Sequence, residues 1–152
     1  MRIYRLTLPR YAATALSGLG TLRVGGRWTP VGLPAVYASD SVALAVLETL
    51  VHASGSVAPA HRVIAVDIPD SLTVTTVEVS MLPAGWRHTP APAALRVIGR
   101  DWIEAAETAV LRVPSAIVPS ESNFLLNPLH ADFPRLAVHP PEPFEVDMRL
   151  FR

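Results

Sequence analysis

The chain has 152 residues, of which 50% are hydrophobic and 17% are charged, so it suits one folded domain and not a disordered tail. Its 13 basic and 13 acidic residues cancel, which argues against direct binding of nucleic acid through the phosphates. The absence of cysteine excludes disulfides, thiol catalysis and cysteine-ligated metal sites.

The N-terminal residues predict a cytoplasmic protein. Arg5 and Pro9 interrupt the first apolar residues before they reach the length of a signal peptide. The longest apolar run, 42–47, ends at Glu48 and is far shorter than the ~20 residues of a membrane span. We therefore expect neither secretion nor contact with a membrane.

Strands, a loop and a helix are predicted in the first third of the chain. In order, these are a strand at 3–8, a glycine-rich loop at 18–26, a strand at 35–39 and a helix from 41 to about 53. Ser39 and Asp40 can each cap this helix. Its nearly continuous apolar residues predict burial over most of its surface.

The rest of the chain predicts short strands and a second helix. In order, these are a hairpin of strands at 62–68 and 72–79, an irregular connection at 81–93, a helix from Asp101 to about 108, and strands at 110–113, 116–118 and 144–150. On the helix, four residues are spaced for an inward face, namely Trp102, Ala105, Ala106 and Ala109. Because helices and strands mix without a regular βαβ alternation, we expect one α+β domain over residues 1–152.

Glu48 is the most informative ionisable residue. A carboxylate in so apolar a helix must be paired internally or face a wet cleft. It is a structural partner for an arginine or for His52, four residues further along the same helix face, or it stabilises positive charge on a ribose ring.

Arg27 and Tyr37 allow similar alternatives. Arg27 stands among glycines beside Trp28, where its guanidinium can bind a diphosphate in a bidentate manner or lie solvated at the surface. Tyr37 can contact a nicotinamide or a ribose, or fill the core. The same ambiguity applies to Tyr4 and Arg5.

Ser115 and Asn123 are polar residues near the end of the chain's apolar strands. No Gly-x-Ser-x-Gly elbow surrounds Ser115, so a hydroxyl that binds Glu48 or a substrate suits it better than a nucleophile. Asn123 and Asn127 orient polar groups or form turns, and we favour the turn for Asn127.

Several common sites are excluded by their spacing. The five histidines show no His-x-His or His-Glu-x-x-His pattern, so we expect no metal site. Neither a Rossmann nor a P-loop glycine motif is present.

Together these segments resemble the RES family, the toxin half of bacterial Xre–RES toxin–antitoxin pairs. The resemblance covers nearly the whole chain and is carried by Tyr4-Arg5, Gly26-Arg27-Trp28, 34–39, 45–52, 111–119, 121–128, His130, Phe133, Phe144 and 147–151. Ala131 stands where the family usually has proline, and 83–93 has no clear counterpart.

The resemblance implies an ADP-ribosyltransferase-like fold and an enzyme that degrades NAD+ by hydrolysis or phosphorolysis, or that transfers ADP-ribose to a protein. It implies four active-site residues, Arg27, Tyr37, Glu48 and Ser115. Around NAD+ it places Tyr4, Arg5, Trp28, His52 and Asn123. NAD+ is then the substrate, with inorganic phosphate as an alternative acceptor and no cofactor.

The resemblance also implies a partner, a helix-turn-helix antitoxin of the Xre type that blocks the cleft in a hetero-oligomer. An alternative of another class is a non-catalytic interaction module, in which Arg27, Glu48 and Ser115 only stabilise the core.

Overall fold

The computed structural model describes residues 1–53 and 56–151. Within them, three α-helices lie against a mixed β-sheet. The helices are α1 (Leu19–Val24), α2 (Val42–His52) and α3 (Ala93–Ala105). The strands are β1 (Arg2–Thr7), β2 (Val36–Ser39), β3 (Ala60–Asp67), β4 (Val74–Thr76), β5 (Val110–Pro114), β6 (Ser122–Leu126), β7 (Ala137–Val138) and β8 (Glu142–Glu145). Short 3-10 turns occupy Pro9–Thr14, Val79–Met81, Phe133–Arg135 and Met148–Phe151.

The sheet consists of two well-paired halves that meet at one weak junction. Its strand order is β4-β5-β6-β2-β1-β3-β7, and β8 pairs with the other end of the same edge of β3. In one half, β2 pairs with β6 from Val36 to Ser39. In the other half, β1 pairs with β3 along its whole length. The register between β1 and β2 contains a single pair, Tyr4 with Ser39.

Alternation along the strands separates two cores on opposite faces of the sheet. One core includes Ile3, Val36 and Phe124. On the other face, β5 and β6 pack against α3 and Trp28 to form the second core. Because successive side chains of a strand point to opposite faces, Tyr37, Ser39 and Asn123 lie on the side of the second core. No helix among the described residues combines the length and hydropathy of a membrane span.

The N-cap of α2 is Ser41, whose Oγ accepts a hydrogen bond from the backbone N–H of Leu44 at 3.0 Å. The prediction that Ser39 or Asp40 caps this helix is wrong. Ser39 belongs to β2, and the Asp40 carboxylate accepts a hydrogen bond from the backbone of Ser122.

The burial predicted for α2 is also wrong. Leu44, Ala45 and Val46 are buried, but Leu47 and Val51 are 38% and 63% exposed. The helix packs on β1 and β2, and its Val46 also contacts Val57 and Val146. The side that carries Leu47 and Val51 remains at the surface of this chain.

The glycine-rich segment at 18–26 contains the helix α1, where a loop is predicted. Gly18 precedes the helix with φ 74° and Gly25 follows it with φ 69°. Glycine adopts such left-handed angles readily, so these two glycines mark the ends of a short helix.

The hairpin predicted between 62–68 and 72–79 is wrong. Both edges of β3 are occupied, by β1 on one side and by β7 and β8 on the other. The shorter strand β4 therefore runs to the far end of the sheet, where it pairs in parallel with β5.

The second predicted helix begins earlier than its sequence suggests. Pro92 precedes α3, and Asp101 lies inside the helix, where it binds Arg100. The buried side of α3 consists of Leu95, Gly99, Trp102 and Ile103. Of the other residues that were expected inside, Ala105 and Ala106 are exposed and Ala109 is buried.

Two strand predictions near the C-terminus need correction. Residues 116–118 form a bend, and the partner of β5 is β6, which contains Asn123. The strand predicted at 144–150 is limited to β8, and a 3-10 turn follows it. Asn127 does form a turn, since its side chain accepts a hydrogen bond from the N–H of Leu129.

Candidate active site

Glu48 lies in α2 and accepts two hydrogen bonds through one carboxylate oxygen. Ser115 Oγ donates to Glu48 Oε1 at 2.9 Å. The side-chain amide of Asn123 donates to the same oxygen. The Glu48 side chain is 22% exposed. Two donors thus hold the carboxylate from inside the protein, while part of it reaches the surface.

The hydroxyl of Ser115 is directed at Glu48 by its other contacts. Ser115 is fully buried just after β5. Its Oγ accepts hydrogen bonds from the backbone N–H groups of Ile117 and Val118, at 3.1 and 3.0 Å. Since these donors occupy its lone pairs, the single O–H is left for the carboxylate.

The amide of Asn123 is oriented by Ser39. The two residues are paired across β2 and β6, and Ser39 Oγ donates to Asn123 Oδ1 at 2.8 Å. This bond turns the amide oxygen toward Ser39 and the amide nitrogen toward Glu48. Ser39 is absent from the residues predicted for the site, although it lies on the same strand face as Tyr37.

The start of α2 is attached to the start of β6 by side chains. Ser41 Oγ donates to a carboxylate oxygen of Glu121 at 3.0 Å. The backbone N–H of Ser122 donates to Asp40 at 2.7 Å. These bonds place the helix that carries Glu48 over the strand that carries Asn123.

The second carboxylate oxygen of Glu48 is less constrained. Its distance to His52 Nε2 is 4.0 Å, and the His52 side chain is 72% exposed. Within the described residues Oε2 has no hydrogen-bond donor, so this oxygen remains available to a ligand.

Tyr37 binds the turn at residues 26–29 through its hydroxyl. The backbone N–H of Trp28 donates to the Tyr37 oxygen at 3.0 Å, and Thr29 Oγ1 lies 3.1 Å from it. A Cβ at Gly26 would lie 2.6 Å from the same oxygen. Burial raises the pKa of Tyr37, against the opposing effect of these hydrogen bonds and of two nearby arginines. Tyr37 is thus a neutral phenol that fixes the turn.

Arg27 extends from this turn to the loop at 86–89. Its Nη1 donates to the carbonyl oxygens of Trp86 and His88 at 2.9 and 3.1 Å. Its Nη2 lies 3.4 Å from Thr89 Oγ1. Among the described residues, no hydrogen bond or ion pair joins Arg27 directly to Glu48.

The loop at 86–89 connects Arg27 with the neighbourhood of Glu48. Arg87 Nε donates to the carbonyl oxygen of Ala116 at 2.9 Å, and Ala116 follows Ser115 directly. An open cavity of about 450 Å³ is lined by Gly85, Trp86, Arg87, His88 and Ala116. Glu48, Ser115, Asn123 and Ser39 form one hydrogen-bonded set, the Glu48 group. The turn at 26–29 and the Glu48 group are therefore linked through the loop at 86–89.

Arg5 lies at the weak junction between β1 and β2. Its Nη1 donates to the backbone carbonyl of Tyr37 at 2.8 Å. Its Nε is buried and has no hydrogen-bond partner within the described residues. Burial lowers the pKa of Arg5, because the cation is removed from water and no carboxylate in the described part of the chain forms an ion pair with it.

Two aromatic residues expected around NAD+ differ in position. Tyr4 pairs with Ser39, so it lies next to the Glu48 group. Trp28 is a correction, because its indole is 2% exposed and packs in the second core. The Trp28 side chain therefore stabilises the fold and is not accessible to a ligand.

Known proteins match this chain over nearly its whole length. The model of the RES domain matches residues 2–147. A protein named "Toxin Res" from Yersinia enterocolitica is 40% identical over 152 residues, which cover 99% of each chain. A "Prs ADP-ribosylating toxin" from Sphingobium sp. is 39% identical over 93% of this chain and 90% of its own length.

A solved structure has the same fold. The M. tuberculosis MbcT–MbcA toxin–antitoxin complex contains a chain that matches with a TM-score of 0.73 at 20% identity, over 99% of this chain and 86% of that one. This match and the observed combination of helices with one mixed sheet confirm the predicted α+β fold. The family model and the relatives confirm the resemblance given by the sequence segments, and the chain belongs to the RES domain family.

Proposed function

We propose that this RES-domain protein is a toxin that cleaves the bond between nicotinamide and ribose in NAD+. The observation that carries the proposal is the Glu48 carboxylate, which is held through Oε1 by Ser115 and Asn123. An acid used only to stabilise the core would have both oxygens paired inside. Here Oε2 remains available at a partly exposed position.

The buried cation of Arg5 supports a substrate that carries phosphate. A charge removed from water is costly unless an opposite charge or hydrogen bonds compensate it. Arg5 has one backbone acceptor and a buried Nε without a partner in the described part of the chain. The diphosphate of NAD+, bound near the junction between the two halves of the sheet, would offset this positive charge through space without touching the buried Nε.

The chemistry needs an anion beside the ribose and little else. The bond between ribose C1′ and the nicotinamide nitrogen breaks with its electron pair moving to nicotinamide, which leaves neutral and needs no general acid. Positive charge then develops on the ribose, where a fixed carboxylate lowers the energy of the oxocarbenium-like state. A water oxygen then bonds to C1′ and releases a proton to solvent.

The acceptor defines the alternatives within this reaction. Phosphate in place of water gives phosphorolysis, and a protein side chain gives mono-ADP-ribosylation. The second alternative is supported by the Sphingobium relative, whose name describes an ADP-ribosylating toxin. NAD+ with a radioactive ADP-ribose moiety distinguishes the three reactions. The label would appear on a macromolecule after transfer to protein, as free ADP-ribose after hydrolysis, and as a phosphate ester of ADP-ribose after phosphorolysis.

Nicotinamide release by purified protein tests the proposal. We expect wild-type protein to release nicotinamide from NAD+, and Glu48→Gln to lower kcat by about 10²- to 10³-fold, as removal of one electrostatic stabiliser does elsewhere. Glu104→Gln is the matched control, because this carboxylate is exposed on α3. Wild-type kcat in a folded Glu48→Gln variant would reject the mechanism.

Growth of cells distinguishes the toxin from a non-catalytic interaction module. As a cytoplasmic toxin, the wild-type chain should arrest growth and lower cellular NAD+ on induction, whereas Glu48→Gln should do neither. An interaction module that needs no catalysis would act equally in both forms.

The proposed partner is a helix-turn-helix antitoxin of the Xre type that covers the cleft. The exposed apolar side of α2, with Leu47 and Val51, suits coverage by another protein because it flanks Glu48. Co-expression with such an antitoxin should yield a complex that releases no nicotinamide.

A further inference from the structure

The helix α3 is pressed against the turn at 26–29 without an intervening side chain. Gly99 is buried in this contact, and a Cβ at that position would overlap the carbonyl oxygen of Trp28. The position of α3 relative to the turn is therefore fixed by backbone contact. Any side chain on the same side of α3 has a fixed place beside the turn.

Arg96 precedes Gly99 by three residues, so both lie on one side of the helix. Its Nε donates to the carbonyl oxygen of Gly26 at 3.1 Å. Within residues 1–53 and 56–151, no acceptor binds the two terminal nitrogens of Arg96, and no carboxylate forms an ion pair with it. The guanidinium is anchored at one end and presents four N–H groups at the other.

Arg27 differs from Arg96 in this respect. Both N–H groups of Arg27 Nη1 are used by the carbonyl oxygens of Trp86 and His88. Arg27 thus holds the loop at 86–89 in place. Arg96, which reaches the turn from α3, has no partner for its two terminal nitrogens within the described residues.

The two arginines mark one end of Tyr37, and Arg5 marks the other. The positive charges of Arg96 and Arg27 both act on the Tyr37 hydroxyl. Arg5 binds the Tyr37 backbone carbonyl at the opposite end of the residue, next to the strand pair that orients Asn123. Cations therefore lie at both ends of Tyr37, Arg5 at its backbone carbonyl and Arg96 beside its hydroxyl.

We propose that Arg96 binds the phosphate on the adenosine side of the substrate's diphosphate, opposite Arg5. The inference rests on the proposed function, in which the nicotinamide ribose lies at Glu48. The backbone end of Tyr37 is two residues from Ser39, which binds Asn123 of the Glu48 group. We therefore assign the phosphate on the adenosine side to the hydroxyl end of Tyr37, where Arg96 lies. A guanidinium with a free fork matches phosphate oxygens in a bidentate manner.

Kinetics of Arg96 variants test the assignment. We expect Arg96→Ala to raise the KM for NAD+ by about 10- to 100-fold with little change in kcat, because a hydrogen bond to a charged group contributes about 1.5–3 kcal/mol. The KM of Arg96→Lys should lie between those of wild type and Arg96→Ala, since lysine keeps the positive charge but lacks the two-pronged guanidinium. Arg100→Ala is the matched control, because Arg100 lies on the same helix and binds Asp101.

Binding of ADP-ribose, measured by calorimetry, separates this inference from the proposed function. ADP-ribose carries both phosphates but lacks the bond to be cleaved. Arg96→Ala should weaken its binding by the same factor as it raises the KM. If wild-type protein binds ADP-ribose but releases no nicotinamide from NAD+, the proposed reaction is rejected. The role of Arg96 in binding phosphate can then still be judged from the ADP-ribose affinities. Equal Kd values for wild type and Arg96→Ala, or no binding by wild type, would overturn the assignment.

Discussion

At the scale of single residues, the Glu48 group is a chain of hydrogen bonds in which other contacts orient each donor to Glu48. Ser39 orients Asn123, the backbone at 117–118 orients Ser115, and both residues then donate to one oxygen of Glu48. Such an arrangement holds the carboxylate before a substrate arrives, so no reorganisation is needed during the reaction. It also explains why an acid is tolerated in so apolar a helix.

Ser115→Ala tests the effect of this arrangement on activity. Loss of a hydrogen bond to a charged group should lower kcat by about 10- to 100-fold, because the carboxylate loses one of its two fixed donors. Ser80→Ala serves as the control, since Ser80 is exposed. Steady-state nicotinamide release provides the measurement. A kcat equal to that of wild type would mean that Ser115 has no part in holding Glu48.

The residues of the site were accessible to sequence reasoning to different degrees. Glu48 stands out as a lone acid in an apolar helix. The prediction that the Ser115 hydroxyl binds Glu48 or a substrate is confirmed for Glu48, and Asn123 orients a polar group, one of its two predicted roles. Arg96 carries no comparable signal, because an arginine on an exposed helix turn is usually solvated. Its position depends on the contact of Gly99 with Trp28, which only the folded chain reveals.

At the scale of elements, the sequence identified strands better than their partners. The strands at β1, β2, β3 and β5 were predicted close to their observed bounds, because short β-forming runs are visible locally. The pairing of β4 with β5 depends on which edges of the sheet are already occupied, and this is a property of the whole fold. The strand β6 was missed because its asparagine favours a turn in isolation.

The contact of α3 with the turn at 26–29 makes Gly99 essential for stability. Gly99→Ala should lower the free energy of unfolding by about 1–3 kcal/mol, since the added methyl overlaps the Trp28 carbonyl and forces the helix away. Gly20→Ala in α1 is the opposite case, with no atom within 4 Å of the added methyl, and should be neutral or stabilising. Urea denaturation of both variants checks this, and equal midpoints would refute the close contact.

At the scale of the whole molecule, an ion-pair network joins β1 to β3 and to the segment that follows β7. Arg2 donates to both carboxylate oxygens of Asp67, at 2.7 and 2.9 Å, and His139 Nε2 lies 2.7 Å from one of them. The hydrogen bond from Arg2, followed by that from His139, holds the pKa of Asp67 well below its usual range. The ionised form of Asp67 is therefore favoured by folding.

This network predicts a loss of stability in acid. A depressed pKa in the folded state contributes stability that is fully present above the ordinary pKa of an aspartate, and that is lost as the pH falls toward the depressed value. The difference in unfolding free energy between wild type and Asp67→Asn should thus be constant near neutral pH and shrink below about pH 4. Denaturation curves at several pH values measure it, and a difference independent of pH would contradict the account.

The central claim is that one dinucleotide spans the junction between the two halves of the sheet. A crystal structure of the Glu48→Gln variant with NAD+ bound tests it most directly, because the substrate then remains uncleaved. We expect the nicotinamide ribose beside position 48, and the diphosphate between Arg5 and Arg96. A dinucleotide bound elsewhere, with its ribose away from position 48, would contradict the account.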